Sequence, residues 1–573
     1  MSSNSTVLVI GGYGVFGGRL SRRLARVEGL DVIVAGRSLE KAAAFCETNG
    51  GRPATIDVVD GDNLEALFAQ LAPAIVVDAA GPFQRYGSNP YRVAAAALRA
   101  GASYIDLSDD GAFTAGISTL DPEARKSGLV AISGASSVPA ISSAAVAALS
   151  RQMTSIDFID SVILPGNRAP RGTSVVGSIL SQVGRPVLTV RGNGERSVRG
   201  WSERRHETLS IPGVQPVPGR RSHHIGAPDT FLFPRHFGAA NVSFRAGLEL
   251  AVMNAALSLA GLAVAAFPRL RLERLSGLLV RIADAMRGLG TDRGGMRVEV
   301  GGLSADGTGV KARWTLIAGH GDGPEVPTIP AYLLTRMILG GRIEPGARAC
   351  VGEIAMEDIE TVTAELGINT HSVQEVEQSL FERVLGENFA ALPSAIRRVH
   401  DSRISKRLEG RATVTRGDGI VAKLIGMAFG FPGSGDDIPT TVTIERRGDK
   451  ETWTRQFGSA AFRSYLSPAP GNRPGGVTER FGLLSFDIDL GERLGRLYYP
   501  VVKGRIGPIP LPRFLTPRSD TVEQLGLEDG RFHFSVNIDL PFFGHLVSYS
   551  GWLADPMAPL DVASEGYLRS ALP

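Results

Sequence analysis

Cysteine is nearly absent: Cys46 and Cys350 are the only two in 573 residues. They stand far apart and without metal-type spacing, which excludes a disulfide framework and a cysteine zinc site and fits a reducing compartment. Lysine is scarce too, seven residues against 54 arginines, a bias that points to a bacterial source. The net charge of +3 is small for this length, so no nucleic-acid partner is expected. The first residues lack a basic segment, and the apolar run Val7-Leu8-Val9-Ile10 leads straight into Gly11. That is the pattern of a strand and not of a signal peptide, and a cytoplasmic location is the expectation. Neither a nucleophile elbow nor a P-loop lysine occurs, which removes support for a hydrolase or a kinase. Histidine is sparse as well. His223, His224 and His236 fit no zinc spacing, and adjacent histidines on a strand point to opposite faces, so no metal is expected.

Glycine, by contrast, is abundant at 70 residues, as needed where many tight βα turns are built. The length exceeds what one core holds, so two or three domains are expected. Over the first third, short apolar and β-branched runs at 6–10, 31–35, 55–58, 75–79, 103–107 and 129–132 alternate with helical stretches at 16–27, 39–48, 64–71 and 91–100. Such alternation implies right-handed βαβ units around a parallel sheet, an α/β fold. The middle is less regular, with polar Arg/Gly/Pro stretches over 185–221, a hairpin-like pair at 296–300 and 310–318, and a helix over 356–366. Alternating strands such as 532–538, with turn signals at Asp418-Gly419 and Asp529-Gly530, give the last part an antiparallel, β-rich character. The expected organisation is a Rossmann domain over 1–135, an α/β substrate domain over 136–370, a linker over 371–390 and a β-rich domain over 391–573.

The sharpest motif is Gly12-Tyr13-Gly14-Val15-Phe16-Gly17, a G-x-G-x-x-G that follows a strand and opens a helix. The first glycine permits the turn, the second lets backbone approach a pyrophosphate, and the third lets helix pack on strand. NAD sites usually place an acid at the end of the next strand to hold the ribose 2′-hydroxyl. Here that position reads Ala35-Gly36-Arg37-Ser38, with Lys41 one turn on. A guanidinium and a hydroxyl in place of a carboxylate suit a 2′-phosphate, so NADP is expected ahead of NAD. Asp57 and Val58 would flank the adenine, and the small residues Ala79, Ala80, Gly81 and Pro82 would leave room for the nicotinamide ribose.

Val77-Asp78-Ala79-Ala80-Gly81-Pro82-Phe83 with Tyr86-Gly87, and Gly101-Ala102-Ser103-Tyr104-Ile105-Asp106-Leu107-Ser108, resemble the saccharopine-dehydrogenase-like oxidoreductases. Gly134-Ala135-Ser136-Ser137-Val138-Pro139 and Gly172-Thr173-Ser174 resemble their G-x-x-S-x-P and G-T-x-S segments. The likeness runs over about 5–370 and implies a Rossmann domain followed by an α/β domain that closes over the nicotinamide, with a homodimer as one assembly. After about Leu392 the chain resembles a C-terminal domain family of unknown function found fused to such oxidoreductases. The matching stretches include Arg397-Arg398-Val399-His400, Trp453-Thr454-Arg455-Gln456-Phe457-Gly458 and Leu540-Pro541-Phe542-Phe543-Gly544.

Hydride transfer asks the protein for positioning, exclusion of water and one acid/base group. Tyr104, Asp106 and Asp109 are the catalytic candidates, with Ser136 and Ser137 beside them; turn formation and helix capping are their structural alternatives. The acids Asp106, Asp109 and Asp110 suit a polycarboxylate substrate poorly. The uncharged run 250–267 would make a helix of about 27 Å, short of the ~30 Å hydrocarbon core. A buried core helix is the first expectation for it, and a membrane-surface or lipid-facing helix flanked by Arg269, Arg271 and Arg274 is the alternative. The reading that results is an NADP-dependent oxidoreductase of a small-molecule, lipid-like substrate. A non-catalytic NADP-binding sensor or scaffold and a saccharopine-type amino-acid reductase remain as alternatives.

Overall fold

The computed structural model describes residues 5–58, 63–170, 172–471 and 473–555. It divides into two units. The first comprises Met1–Val190, Glu195–Val300 and Ala312–Gln374; the second comprises Arg191–Gly194, Gly301–Lys311 and Glu375–Pro573.

Six strands open the first unit: β1 (Ser5–Ile10), β2 (Leu30–Gly36), β3 (Arg52–Thr55), β4 (Ile75–Asp78), β5 (Ser103–Asp106) and β6 (Val130–Ser133). Val7 and Val9 belong to one buried cluster, and Leu8 and Ile10 to another on the opposite face. A strand buried on both faces is what a near-continuous apolar run produces in a parallel sheet. The sheet order is β6-β5-β4-β1-β2-β3, every pair parallel. A seventh strand, Gly346–Ala349, returns from far along the chain to pair in parallel with β6. The sequence put the third strand at 55–58, whereas β3 ends at Thr55, because its partner β2 ends at Gly36, which Thr55 faces. Ile56 and Val58 are buried beyond the sheet instead.

A second sheet of the first unit centres on the long strand Met153–Leu164, with Asn241–Ala246 parallel beside it. The polar stretch 185–221, which shows no period in sequence, forms the strands Pro186–Arg191, Gly194–Arg199, Arg205–Ile211 and Val214–His224. Its charges are in part structural. Buried Arg297 reaches Glu207 at 2.8 Å, Asp160 at 3.0 Å and Glu299 at 2.8 Å, and Arg205 bridges Asp160 and Glu207 from the other side. Burial alone would push the Asp160 carboxyl up, but Arg205 and Arg297 hold it below the ordinary range.

The apolar run becomes the helix Ala251–Ala266, and it is not a core helix. Asn254, Gly261 and Val264 are its buried residues, while Val252, Leu259 and Leu262 are each more than half exposed. One narrow stripe holds it. A β-carbon at Gly184 would stand 2.4 Å from the Gly261 carbonyl oxygen, so helix and turn meet backbone to backbone. Asn254 caps the incoming loop through Leu248 N–H at 3.1 Å and the Leu248 carbonyl at 2.7 Å. Among the described residues no helix is long and apolar enough to cross a membrane.

Among the described residues, thirteen antiparallel strands make the sheet of the second unit, from Gly491–Arg493 at one edge to Ile509–Pro510 at the other. Tyr549, on Gly544–Ala554, lies 6.3 Å ring to ring from Phe462, on Ala460–Pro468, four strands away in that order. A flat sheet at about 4.8 Å per strand would separate them by roughly 19 Å, so the sheet is rolled. Residues 371–390, expected as a linker, hold the end of strand Asn369–Val376 and the helix Leu380–Leu385. Ser379 and Glu382 form a capping box there, and Leu380, Phe381, Val384 and Leu385 are buried in the C-terminal core. The closing residues of the 391–573 segment, from 556 on, lie outside the described residues.

Removing one partner from a buried charge network leaves the others unpaired. Arg297→Ala should therefore lower the unfolding free energy of the first unit by about 3–5 kcal/mol. Urea titration followed by near-ultraviolet circular dichroism reads this; an unchanged midpoint would mean that Asp160 and Glu207 are not held by Arg297.

Candidate functional site

The glycine loop lies between β1 and the helix α1 (Gly17–Leu24). A β-carbon at Gly12 would meet the Val9 carbonyl oxygen at 2.7 Å, and one at Gly17 the Gly11 carbonyl oxygen at 2.2 Å. At Gly14 the nearest atom is the Gly11 oxygen at 3.1 Å, so this glycine keeps the outer side of the loop open. Phe16, the residue before α1, gives no side-chain cap. Gly18 N–H bonds to the Gly14 carbonyl at 2.9 Å, and Arg19 and Leu20 N–H both bond to the Phe16 carbonyl at 3.0 Å, so at the helix start Gly17 N–H is the donor left for a ligand with negative charge. Tyr13 crosses to β2: its ring stands where a Gly36 side chain would, and its hydroxyl accepts the Ser38 N–H at 3.0 Å.

At the end of β2, Ser38 caps the helix Leu39–Asn49 by accepting the Lys41 N–H at 3.3 Å. Arg37 and Lys41 are exposed, and no acid pairs with either among the described residues. The loop fits the pyrophosphate of a dinucleotide, and the two cations lie beyond it at the end of β2. Asp57 is half-buried, and the Val58 carbonyl accepts from Arg92 Nε at 2.6 Å. Ala79 lies directly against the loop, because a β-carbon on Gly11 would stand 2.8 Å from its carbonyl oxygen. Ala80, Gly81 and Pro82 continue from it, each partly exposed.

Below this line the ends of β4 and β5 bring two carboxylates together, Asp78 opposite Asp106. Asp78 accepts from Tyr86 at 2.9 Å and from Ala80 N–H at 3.0 Å. Asp106 accepts from Ser133 Oγ, Ser108 N–H and Gly134 N–H, all at 2.9 Å. Burial pushes Asp78 up to about 6 and Asp106 up to about 7. Tyr104 lies against both. Tyr104 and Asp106 are sealed, at 1% and 0% exposure, so they support the floor of the site and do not reach its surface.

Asp109 is the one of these three catalytic candidates that is not fully buried. Its Oδ1 accepts from Gln84 Nε2 at 3.2 Å and its Oδ2 from Ser178 Oγ at 2.9 Å. Burial raises its proton affinity, and the Ser178 and Gln84 hydrogen bonds offset part of that. Ser178 belongs to the helix Thr173–Gln182, whose start reaches the dinucleotide loop. A β-carbon on Gly172 would lie 3.7 Å from Val15, and Ser174 Oγ donates to the Gly81 carbonyl at 3.3 Å. The second half of the unit thus supplies one wall of the cleft. Ser136 is half-buried and makes no side-chain cap, and Ser137 is buried.

Asp78, Tyr86, Gln84 and Ser178 were not among the sequence candidates, and neither was Asp229. That acid is fully buried on the helix Pro228–Phe237, accepts from Ser142 Oγ at 2.9 Å, and is pushed up by burial to about 7. His223 stacks on Trp201 with ring centroids 5.1 Å apart, and His224 meets Arg245 at 2.6 Å.

Residues 7–132 match the family described as saccharopine dehydrogenase NADP binding domain, and residues 392–553 match a domain of unknown function. No curated protein matches the chain. Among solved structures, apo saccharopine dehydrogenase (L-Glu forming) from Saccharomyces cerevisiae is similar at 16% identity and TM-score 0.47, over 65% of this chain and 100% of that one. A myo-inositol dehydrogenase from Corynebacterium glutamicum is similar at 11% identity and TM-score 0.32, over 65% and 99%. A probable dehydrogenase from Thermotoga maritima is similar at 10% and 0.31, over 64% and 98%. The chain joins a nicotinamide-cofactor domain of oxidoreductase type to a C-terminal domain whose family carries no assigned activity.

Asp229 gives this half of the molecule a pH signature. Its folded proton affinity lies above the unfolded value, so the fold holds a proton that the unfolded chain releases, and stability falls as pH rises from about 4 to about 7. Relative to the native chain, Asp229→Asn should gain roughly 4 kcal/mol between about pH 4 and pH 8. A difference that stays flat across that range in urea titrations would show that Asp229 does not titrate there.

Proposed function

We propose that the chain is an NADP(H)-dependent oxidoreductase acting on an apolar, uncharged substrate. The observation that carries this reading is the open glycine loop with Arg37 and Lys41 beyond it and Asp109 on the far wall of the same cleft. In this reading the loop Gly12–Gly17, with the Gly17 N–H that opens α1, takes the pyrophosphate. Arg37, Ser38 and Lys41 hold the 2′-phosphate, Asp57 and Val58 flank the adenine, and residues 79–82 lie along the nicotinamide ribose. When bound, the nicotinamide supplies or accepts a hydride.

The chain's own residues then have three tasks. Ser174 and the helix behind it close the cleft and exclude water. The Asp78–Asp106 pair, with Tyr86 and Tyr104, fixes the ends of β4 and β5. Asp109, held between Gln84 and Ser178, keeps its proton to a higher pH than an exposed acid and gives it to the reduced substrate. The partly exposed groups at the end of β5, Asp109 and Asp110, supply no cation for a substrate with several carboxylates, which argues against saccharopine itself.

Fluorescence titration with NADPH and NADH tests the cofactor assignment. The protein should bind NADPH more tightly, and Arg37→Ala should weaken NADPH by about ten- to a hundred-fold while leaving NADH unchanged. Equal or tighter binding of NADH by the native protein overturns the role of Arg37.

Asp109 is tested by turnover, on the first compound in a set of ketones, imines and enoyl lipids that the protein reduces with NADPH. Asp109→Asn should lower kcat by about 10²–10⁴ with NADPH binding intact. The native reductive rate should fall as pH rises through the Asp109 titration, and the variant should lose that limb. A variant that keeps both rate and profile removes Asp109 from the reaction.

A further inference from the structure

The second unit contains a cavity of about 180 Å³, partly open and lined by its own residues. Its walls come from strands far apart in the sheet order. Phe532, Phe534, Val536 and Ile538 stand on Phe532–Leu540, while Phe486 and Ile488 stand on Leu484–Asp489. The rolled sheet therefore encloses a space that successive inward-facing positions have been given apolar side chains to line. An apolar cavity of about 150 Å³ stays dry and accepts benzene, so this one takes a comparable body, with more length towards its open side.

The charged groups in the wall are already matched. Arg455 pairs with Glu479 at 3.3 Å and donates to Ser464 at 2.7 Å. Glu523 meets His400 at 2.6 Å, and Ser519 and Thr521 hydrogen-bond each other at 2.8 Å. A ligand carboxylate would find Arg455, the cation in the lining, already occupied, and an unpaired charge in such a place costs several kcal/mol. A neutral molecule meets no such cost.

One side of the cavity is closed by the helix Ile420–Phe429. Ile425 and Phe429 face the cavity, while Ile420, Leu424 and Met427, at i, i+4 and i+7, are exposed at 79%, 58% and 68%. Such a helix is apolar on the face that meets solvent as well as on the one that meets the cavity. Water gains nothing from that outer face, whereas an apolar molecule passing beneath the helix is in contact with it throughout.

We propose that this rolled sheet is a binding site for one neutral hydrophobic molecule, carrying at most a hydroxyl or carbonyl group. The site stands independently of the oxidoreductase reading, because none of its residues belongs to the dinucleotide cleft.

The test titrates the full chain with N-phenyl-1-naphthylamine, a neutral fluorophore that brightens and shifts to the blue in apolar surroundings. One probe should bind per chain. Dodecanol should displace it, and dodecanoate should do so roughly a hundred-fold less well. Val536→Trp fills the cavity and should weaken the probe by about ten-fold or more. Ser535→Trp, on the exposed face of the same strand, should leave it unchanged. Ser519→Trp, at a part-exposed lining position, takes the place of Val536→Trp if the latter loses its native circular dichroism. No brightening with the native chain overturns the site. Binding that survives both cavity-filling variants overturns it too, since the probe then sits on an exposed patch elsewhere. Displacement by dodecanoate as readily as by dodecanol overturns the restriction to neutral ligands.

Discussion

A β-carbon at position 17 would stand 2.2 Å from the carbonyl oxygen of Gly11, and the geometry of the cleft depends on that closeness. It lets α1 begin directly over the end of β1. Gly18 N–H then bonds to the Gly14 carbonyl at 2.9 Å, which ties the first turn of the helix to the part of the loop that has no side chain of its own. Gly11 in turn touches Ala79, so the same contact sets the distance between the loop and the end of β4. Any side chain at 17 would lift the helix, and the alignment of loop, β4 end and the Ser174 wall would go with it.

Much of this was legible in the sequence because it is local. The loop, the strand before it, the missing acid after β2 and Arg37 all lie within one βαβ unit, where spacing alone places them. The apolar period of Phe532–Ile538 likewise gave the inward face of its strand. What escaped was long-range. Gln84 donates to Ser178 across 94 residues, and Ser178 donates to Asp109 across 69. Neither partner carries a motif, so no pattern could join them. Asp78 was visible only as part of a resemblance, since its pairing with Asp106 is a matter of strand register. Composition misled over 250–267, because an apolar helix does not declare how much of its surface a neighbour will cover. Over 371–390 the sequence does carry a helix signal: Ser379 followed by Glu382 is a capping box, and the apolar residues between and after them mark a helix with somewhere to pack.

The two halves of the protein solve the burial problem in opposite ways. The first contains a parallel sheet, β1 to β6, whose central strands are apolar on both faces, so the polar chemistry of that sheet is pushed to the strand ends. The second rolls an antiparallel sheet upon itself, so its strands alternate and the enclosed face is where the apolar residues collect. Function follows the leftover space. In one case that is a cleft at the edge of the sheet, built from backbone and acids. In the other it is an interior between aromatic rings, with Arg455 stacked 5.0 Å over Trp453 and already neutralised by Glu479.

The strand Gly346–Ala349 has a consequence for how the chain is made. Ala347 donates its N–H to Asp121, 226 residues earlier, and the strand completes the sheet beside β6. A ribosome producing this protein releases β1 to β6 long before that last strand exists. Throughout the interval β6 is an open sheet edge, with unpaired N–H and carbonyl groups facing whatever is nearby. Domains generally fold in order of synthesis, at about 5–20 residues per second, so the exposure lasts on the order of ten seconds or more. The nascent sheet is thus an aggregation hazard for most of its own translation, and chaperone binding to the β6 edge would be confined to that window.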